Sequence, residues 1–480
     1  MKRPLAFVKR HVFELLFFFL FFFLIFLTYQ DYGIAWDEKI FFNVGAYYAK
    51  ELLNFLRIPH NLNLGEFVPT PYHIRGHGVF FDVIFAFVTV FFERFSYEIV
   101  HLTRALFALP IFLLIYVIVS KLLSRVYGFI AMVFLLIFPR FYGNMFLNAI
   151  DLPTALFFTL SLAYFIYYVK TKQTIIKSII FGVVLGLTIS QRQLFIYIAG
   201  LNFLFLLWYA HVRRLPMRNI FFLQCISVVF ILITLHLTHP YLLQHPVTGL
   251  VDIFRSAQAY PWNAGVLFEG KFYSNLYFPL PWYYLPKSMF ITIPEGILFL
   301  FLLGNIAMFL KLVKGSNWEK FIFAYLLCLY YIPFALIILL KPTLYDSWRQ
   351  FLFLTIPTII FAVYGLSWLF NKKKVLLAIF VFVTLVFTTL EMIRLHPYEY
   401  FYYNAFIGGL KGASENYETD YWGLSFKEAA QWLNNNLDDP TRHYTLFVEG
   451  DPLSSFYYLK PNVTRTTDPN EADYVFTFTR

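Results

Sequence analysis

Two cysteines in 480 residues cannot build a disulfide framework. Cys225 and Cys328 both fall inside apolar runs, where a thiol is expected to be buried, free and inert, so they say little about redox compartment. No Cys/His cluster has metal-ligand spacing, and no glycine-rich phosphate loop of the Walker or Rossmann kind is present. No Ser or His nucleophile motif stands out, which leaves no support for covalent transfer of some other group from a lipid phosphate. Charge is scarce as well. Asp, Glu, Lys and Arg make up 14% of the chain, against roughly a quarter in a soluble domain. That shortage excludes an ordinary soluble globular protein.

What is abundant is apolar sequence. Hydrophobic residues are 59% of the chain and mean hydropathy is +0.63, in repeated long runs that indicate a polytopic membrane protein. The first run, "FELLFFFLFFFLIFLTY", is too long for a signal-peptide core and no small-residue cleavage site follows it, so it reads as a retained helix. Eleven spans are expected, at about 12–28, 104–120, 127–138, 152–169, 178–190, 194–210, 219–238, 288–310, 321–340, 351–370 and 375–392. A twelfth apolar stretch, 79–92 ("VFFDVIFAFVTVFF"), is short and carries Asp82.

Loop charge decides how to read it. With 79–92 as an interfacial or re-entrant helix and the N-terminus in the cytoplasm, "MKRPLAFVKR", "KLLSR", "KTKQTIIK", "RRLPMR", "KLVKGSNWEK" and "KKK" all fall inside. They hold 18 of the 38 lysines and arginines, and only Glu14 and Glu319 of the 28 acids lie near that side. Counting 79–92 as a span would turn every later basic loop outward. The net charge of +10 is therefore topogenic and argues for no nucleic-acid partner.

The expected fold class is an all-α polytopic membrane protein. A transmembrane domain (1–392) would carry interfacial helices in its first outer loop, and a small α/β domain (393–480) would follow outside the membrane. The outer side collects the first loop (29–103), a second large loop (239–287), a short connection (341–350) and the tail. Arg140, Asp151, Arg192, Asp346 and Arg349 sit at that membrane edge, where charge is costly and tends to be functional.

In "DYGIAWDEKIFF" (31–42), Asp31, Asp37 and Glu38 follow the first span. Asp31 reads as an ordinary interfacial acid. Beyond it, Phe41, Val44, Tyr48, Leu52 and Phe55 recur at helical spacing, an amphipathic helix lying in the interface. Asp37 at its start also fits an ordinary N-cap, which leaves one carboxylate oxygen free. Asp151 fits an N-cap too, with Pro153 tolerated in the first turn. Arg192 and Arg349 each fit a snorkelling interfacial residue. In the tail, Ser425 and Glu428 have capping-box spacing for a helix over 426–436. Strands are expected at 443–449 and 472–479, the latter lining one face with Tyr474, Phe476 and Phe478, and "DPLSSFYYLK" suggests a short helix between them. A Tyr-, Asn- and Gly-rich stretch (396–423) joins the tail to the last span. Asn462-Val-Thr464 fits a glycosylation sequon, meaningful only in a eukaryotic lumen.

Several segments, taken in order and on one side, resemble the C-type (multi-span) glycosyltransferases, in the bacterial branch related to protein O-mannosyltransferases and aminoarabinose transferases. They are "DYGIAWDE", "PRFYGNMFLNAIDLP" (139–153), "GLTISQRQ" (186–193), "LYDSWRQFLFLTIP" (344–357) and "HPYEYFYYNAFIGGLKGASENYETDYWGLSFKEA" (396–429). The resemblance implies transfer of a sugar from a polyprenyl-phosphate carrier at the extracytoplasmic face, in a bacterial inner membrane. It matches Asp37 to the catalytic acid of the first loop, with Glu38 beside it, and Asp151 to a second acidic position. Where many members carry a His-Pro-Pro-like segment, this chain has "YHIRGHGVFF" (72–81), a departure in the first loop.

The chemistry then assigns expectations. Asp37 is the general base of an inverting single displacement, and Glu38 holds the acceptor or tunes Asp37. Arg192 and Arg349 clamp the donor phosphate, with Arg140 a third choice and Asp346 in the same binding set. Asp151 binds the sugar, orients an arginine, or joins Asp37 around Mg²⁺ or Mn²⁺. The partners are a polyprenyl-phosphate sugar, the bilayer, and a glycan, lipid or protein acceptor. The alternative is a lipid-linked sugar flippase or other transporter, which would place its charges near the midplane on broken helices. The gathering of charge at one interface favours the enzyme. Hexose or pentose, and the acceptor's identity, stay open.

Overall fold

The computed structural model describes residues 11–60, 62, 67–90, 96–258, 265–274, 279–370, 373–439 and 441–478. Eight helices in it are long and apolar enough to cross a membrane: Tyr97–Leu122, Asp151–Lys170, Gln193–Val212, Met217–Thr238, Glu295–Lys314, Asn317–Leu340, Arg349–Phe370 and Lys374–Leu395. A ninth crossing is available if the bent pair Arg125–Leu136 and Pro139–Leu147 is one span. The two remaining expected spans, Val12–Thr28 and Ile175–Gln191, are helices of 17 residues, the lower limit for a crossing. The chain is an integral membrane protein.

Two expected spans are interrupted. The one at 127–138 ends at Phe138, whose extended backbone precedes Pro139, and the next helix leaves at 66°, because proline disfavours helical geometry in the residue before it. The one at 288–310 breaks after Phe290 and restarts at Glu295. Asn404, from the tail linker, fills that break: its side-chain amide donates to the carbonyls of Phe290 (2.7 Å) and Ile293 (2.9 Å), and its backbone N–H to Ile291 (2.9 Å). The linker 396–423 is therefore packed into the bundle end.

The lipid-facing surface follows from side-chain exposure. Val12–Thr28 buries Phe17, Phe21 and Ile25, one stripe at i, i+4, i+8, and exposes Phe13, Phe19 and Phe23. Lys374–Leu395 buries only Thr384 and Thr388. Apolar faces this extensive need hydrocarbon against them.

In the first outer loop, Glu38–Phe55 is an 18-residue helix and Phe80–Val90 an 11-residue one. The second rises about 16 Å, half a hydrocarbon core, and packs on the first. Residues 91 and 92 of the expected interfacial stretch lie outside the described residues, as does the basic segment 1–10.

The tail holds a three-stranded parallel sheet in the order Val463–Arg465, Tyr444–Val448, Tyr474–Phe476. Leu446 stands opposite Tyr474 and Val448 opposite Phe476. Phe426 and Leu433 of the helix Phe426–Asn436 cover Leu446, Val448 and Val463, and Tyr474, Phe476 and Phe478 pack at the margin. A short helix, Leu453–Phe456, connects the first two strands. The helix start differs from the capping-box expectation. Ser425 makes no side-chain cap; the Asp420 carboxylate accepts instead from the N–H of Leu424 (2.9 Å) and of Ser425 (2.8 Å), and from the Ser425 hydroxyl (2.5 Å). A two-stranded hairpin, Val266–Phe268 with Lys271–Tyr273, stands in the second outer loop and meets the linker at Tyr417.

Candidate active site

Four separate segments end at one place. Asp37 stands at the start of the interfacial helix, Asp151 opens a span, Arg192 follows the end of Ile175–Gln191, and Arg349 opens Arg349–Phe370. Arg349 is the hub. Its Nε donates to Asp346 Oδ2 at 2.8 Å, one Nη lies 3.4 Å from Asp37 Oδ2, and the other lies 3.8 Å from Asp151 Oδ2. Tyr345 and Trp422 set their rings 5.2 and 5.0 Å from the guanidinium carbon, two cation–π contacts with Arg349. Asp346 and Ser347 both take left-handed backbone, φ +57° and +59°, an uncommon conformation for such residues. That turn lets Asp346 fold back onto Arg349 three residues later.

Asp151 is fully buried and pairs with Arg192, whose Nε donates to Oδ1 at 2.9 Å and whose Nη contacts the same oxygen. Asp151 does not cap its own helix. The side chain of Asn148 does so, accepting from the N–H of Ile150 (3.2 Å) and Asp151 (2.7 Å) while donating to Asp151 Oδ2 (3.0 Å). The carboxylate is thus free for the two arginines, at a helix N-terminus that favours negative charge. Asp37 also makes no capping bond, although it stands at the N-cap position. Its Oδ2 accepts from the Trp422 indole N–H at 3.3 Å.

Exposure separates the three acids. The Asp37 side chain is 40% exposed, against 0% for Asp151 and 2% for Asp346. Arg192 is 26% exposed and Arg349 8%. Burial pushes the Tyr345 hydroxyl up to about 12, against the pull of Arg349 and Arg192, so at neutral pH it is an uncharged donor beside the cluster.

Three expectations need correction. Glu38 does not face this space. Its side chain is 1% exposed and accepts from Arg104 (2.7 Å), His101 (3.0 Å) and the Ala35 N–H (2.9 Å). Burial raises its pKa, but His101 and Arg104 outweigh that and hold it below the usual carboxylate range. Consecutive helical residues point about 100° apart, so the carboxylate next to Asp37 enters the core. Arg140 does not join this cluster either. It is buried, donates to the Tyr402 carbonyl at 3.1 Å and lies 5.0 Å from the Tyr403 ring, holding the tail linker from behind. Third, Asp37 and Asp151 do not converge as ligands for Mg²⁺ or Mn²⁺, because the Arg349 guanidinium lies between them. Among the described residues no group of three or more His, Cys, Asp or Glu is placed to hold a metal ion.

The residues that the sequence reading missed are Trp422, Tyr345 and Asn148. Asn148 stands three residues before Asp151, a spacing that suits a cap. Trp422 is 385 positions from Asp37, and with 22% aromatics nothing local distinguishes it.

Residues 76–239, about a third of the chain, match the family described as dolichyl-phosphate-mannose-protein mannosyltransferase. That segment contains Asp151 and Arg192 but neither Asp37 nor Arg349. No curated protein sequence matches the chain. Among solved structures, ArnT from Cupriavidus metallidurans bound to undecaprenyl phosphate aligns over 96% of this chain and 87% of its own, at 12% identity and TM-score 0.55. Its apo state aligns over 97% and 87%, at 11% identity and TM-score 0.54. The archaeal oligosaccharyltransferase AglB from Archaeoglobus fulgidus, in complex with an inhibitory peptide and a dolichol-phosphate, aligns over 92% of this chain at 14% identity and TM-score 0.48. The chain spans 61% of the length of AglB.

Proposed function

For a chain with the fold of the C-type glycosyltransferases, we propose transfer of a sugar from a polyprenyl-phosphate donor to an acceptor hydroxyl at the extracytoplasmic membrane face. The observation that carries this reading is the cluster at one end of the bundle: two arginines, of which Arg192 is the more exposed, and three acids, of which Asp37 is the exposed one. The similar solved structure of ArnT, which holds undecaprenyl phosphate, supports a lipid-phosphate donor.

The acceptor oxygen attacks the anomeric carbon as the bond from that carbon to the phosphate oxygen breaks. Asp37 takes the acceptor proton, and the configuration inverts in a single displacement. Trp422 and Arg349 hold the same oxygen of Asp37, Oδ2, which orients Oδ1 toward the acceptor. Negative charge gathers on the departing phosphate, where a guanidinium fork stabilises it. Arg192 is the more exposed arginine and takes this role, steadied by Asp151. Arg349 is engaged with acids on three sides and organises the carboxylates. The prenyl chain lies against the apolar helices. The chain sits in a bacterial inner membrane with its N-terminus cytoplasmic and its tail outside.

The test is Asp37→Asn, assayed by release of polyprenyl phosphate from polyprenyl-phosphate sugar. We expect kcat to fall about 10²–10⁴-fold, with donor KM and membrane insertion unchanged. Near-wild-type turnover would remove Asp37 from the role of base.

A further inference from the structure

The tail supplies Trp422 to the Asp37 carboxylate, and the edge of its sheet grips the residue before Asp37. We propose that the C-terminal α/β domain is a positioning device for Asp37, acting through Trp36. This rests on the reading of Asp37 as the base.

Trp36 lies in a slot built by two tail glycines, both in left-handed backbone. Gly423 has φ +69°, and a Cβ there would stand 2.5 Å from the indole Nε1 of Trp36. Gly450 has φ +90°, and a Cβ there would stand 2.1 Å from Cζ2. Any side chain at either position would drive the indole out. Phe478 closes the slot edge-on, with ring centroids 4.6 Å apart and planes at 82°. Gly450 and Phe478 each lie two residues past the end of a parallel strand, Tyr444–Val448 and Tyr474–Phe476. The two strand ends are tied together, since the Glu449 N–H donates to the Phe476 carbonyl at 2.9 Å and the Thr477 hydroxyl to the Glu449 carboxylate. The slot is thus part of the sheet's C-terminal edge.

Two further holds act on the same loop. Trp422, adjacent to Gly423, donates to the Asp37 carboxylate itself. One peptide stretch therefore fixes both the ring of residue 36 and the charge of residue 37. Lys427, at the start of the tail helix, turns its ammonium onto three consecutive carbonyls, those of Gln30, Asp31 (3.2 Å) and Tyr32 (3.3 Å), which uses all three of its donors. The loop 30–37 is clamped at both ends from a domain more than 380 positions away. A base must be held within about 0.5 Å of its productive position, and an error near 1 Å costs on the order of 10²-fold.

The experiment uses the full chain in detergent or proteoliposomes, with kcat and donor KM measured separately. Trp36→Ala should lower kcat about 10–100-fold and leave donor KM within about twofold, while Trp36→Phe, which keeps a ring in the slot, retains most of the rate. Gly450→Val, made wholly in the tail, should give a loss of the same size. The double variant Trp36→Ala/Gly450→Val should be no worse than the worse single one, because both remove one contact. Gly450→Ala serves as a milder change if Trp36→Ala fails to fold. Wild-type kcat in the Trp36 and Gly450 variants, with Asp37→Asn inactive, would overturn the positioning role and leave the base assignment intact. Losses that multiply in the double variant, or donor KM rising in step with the fall in kcat, would also overturn it. Activity in Asp37→Asn would instead remove the base.

Discussion

Glu38 gives the sharpest separation between a structural and a chemical role for the acid beside Asp37. Its carboxylate lies in the core with Arg104 at 2.7 Å and His101 at 3.0 Å, and Arg104 itself is 1% exposed. Glu38→Ala would leave a buried guanidinium without its paired carboxylate, its remaining contacts including the Leu147 carbonyl at 3.0 Å and the Phe85 ring at 5.7 Å. Breaking such a pair costs about 3–5 kcal/mol. Glu38→Gln keeps the shape and one acceptor oxygen, so it falls at the lower end, roughly 3 kcal/mol. At about 1.4 kcal/mol per factor of ten, that is about two decades in the folded-to-unfolded ratio. The assay is a thermal melt at fixed protein, lipid and detergent, with kcat normalised to folded protein. We expect both variants to melt several degrees below wild type. Glu38→Gln should keep kcat per folded molecule within about tenfold, well short of the 10²–10⁴-fold loss expected for a missing base. A Glu38→Gln protein that melts like wild type yet loses about a hundredfold or more in kcat would refute this reasoning and return Glu38 to the chemistry.

Two other perturbations test how the tail is joined to the membrane part. His396 lies between Asp31 (3.0 Å) and Glu399 (2.7 Å). Burial pulls its pKa down, but those two carboxylates outweigh it and raise it to about 9. A raised histidine stabilises the fold fully below its ordinary value of 6.5 and loses that contribution as pH rises through about 9. The melting-temperature gap between wild type and His396→Gln should therefore be widest below pH 6.5 and close by about pH 10, and a gap that widens with pH would contradict the pairing. Asp420→Ala removes the acceptor for two helix-start N–H groups and strands the buried Tyr400 hydroxyl. It should cost about 2–4 kcal/mol in a melt, more than Ser425→Ala at about 1 kcal/mol, and equal losses would restore Ser425 as the cap.

The gap between sequence and structure has a physical pattern. Apolar runs mark where a chain can lie in lipid, and the helices stand at nearly all the expected places. The alternation of Tyr474, Phe476 and Phe478 likewise shows on the sheet. Charges stranded at the ends of those runs are conspicuous because they are costly there, which picks out Arg140, Asp151, Arg192, Asp346 and Arg349; the structure brings four of them together with Asp37 and sets Arg140 apart. Direction was not legible. Asp37 and Glu38 are neighbours in the chain, and only the packing of the helix Glu38–Phe55 against Arg104 and His101 sends one carboxylate to open space and the other into the core. Asp151 looked like a cap until Asn148 was seen to cap the helix in its place. Arg140, the third choice for the phosphate clamp, instead donates to the linker's Tyr402 carbonyl.

Hydropathy and the cost of burying charge act locally along a chain, so the membrane character and the charged groups at the ends of the apolar runs can be read from residue order alone. The folding of separate segments onto one another is what makes Arg349 gather three acids, Trp422 hold Asp37, and a glycine slot in the tail grip Trp36. Apart from the Asp346–Arg349 pair, three positions apart, those contacts join segments far apart in the chain, and no periodicity or local propensity encodes them.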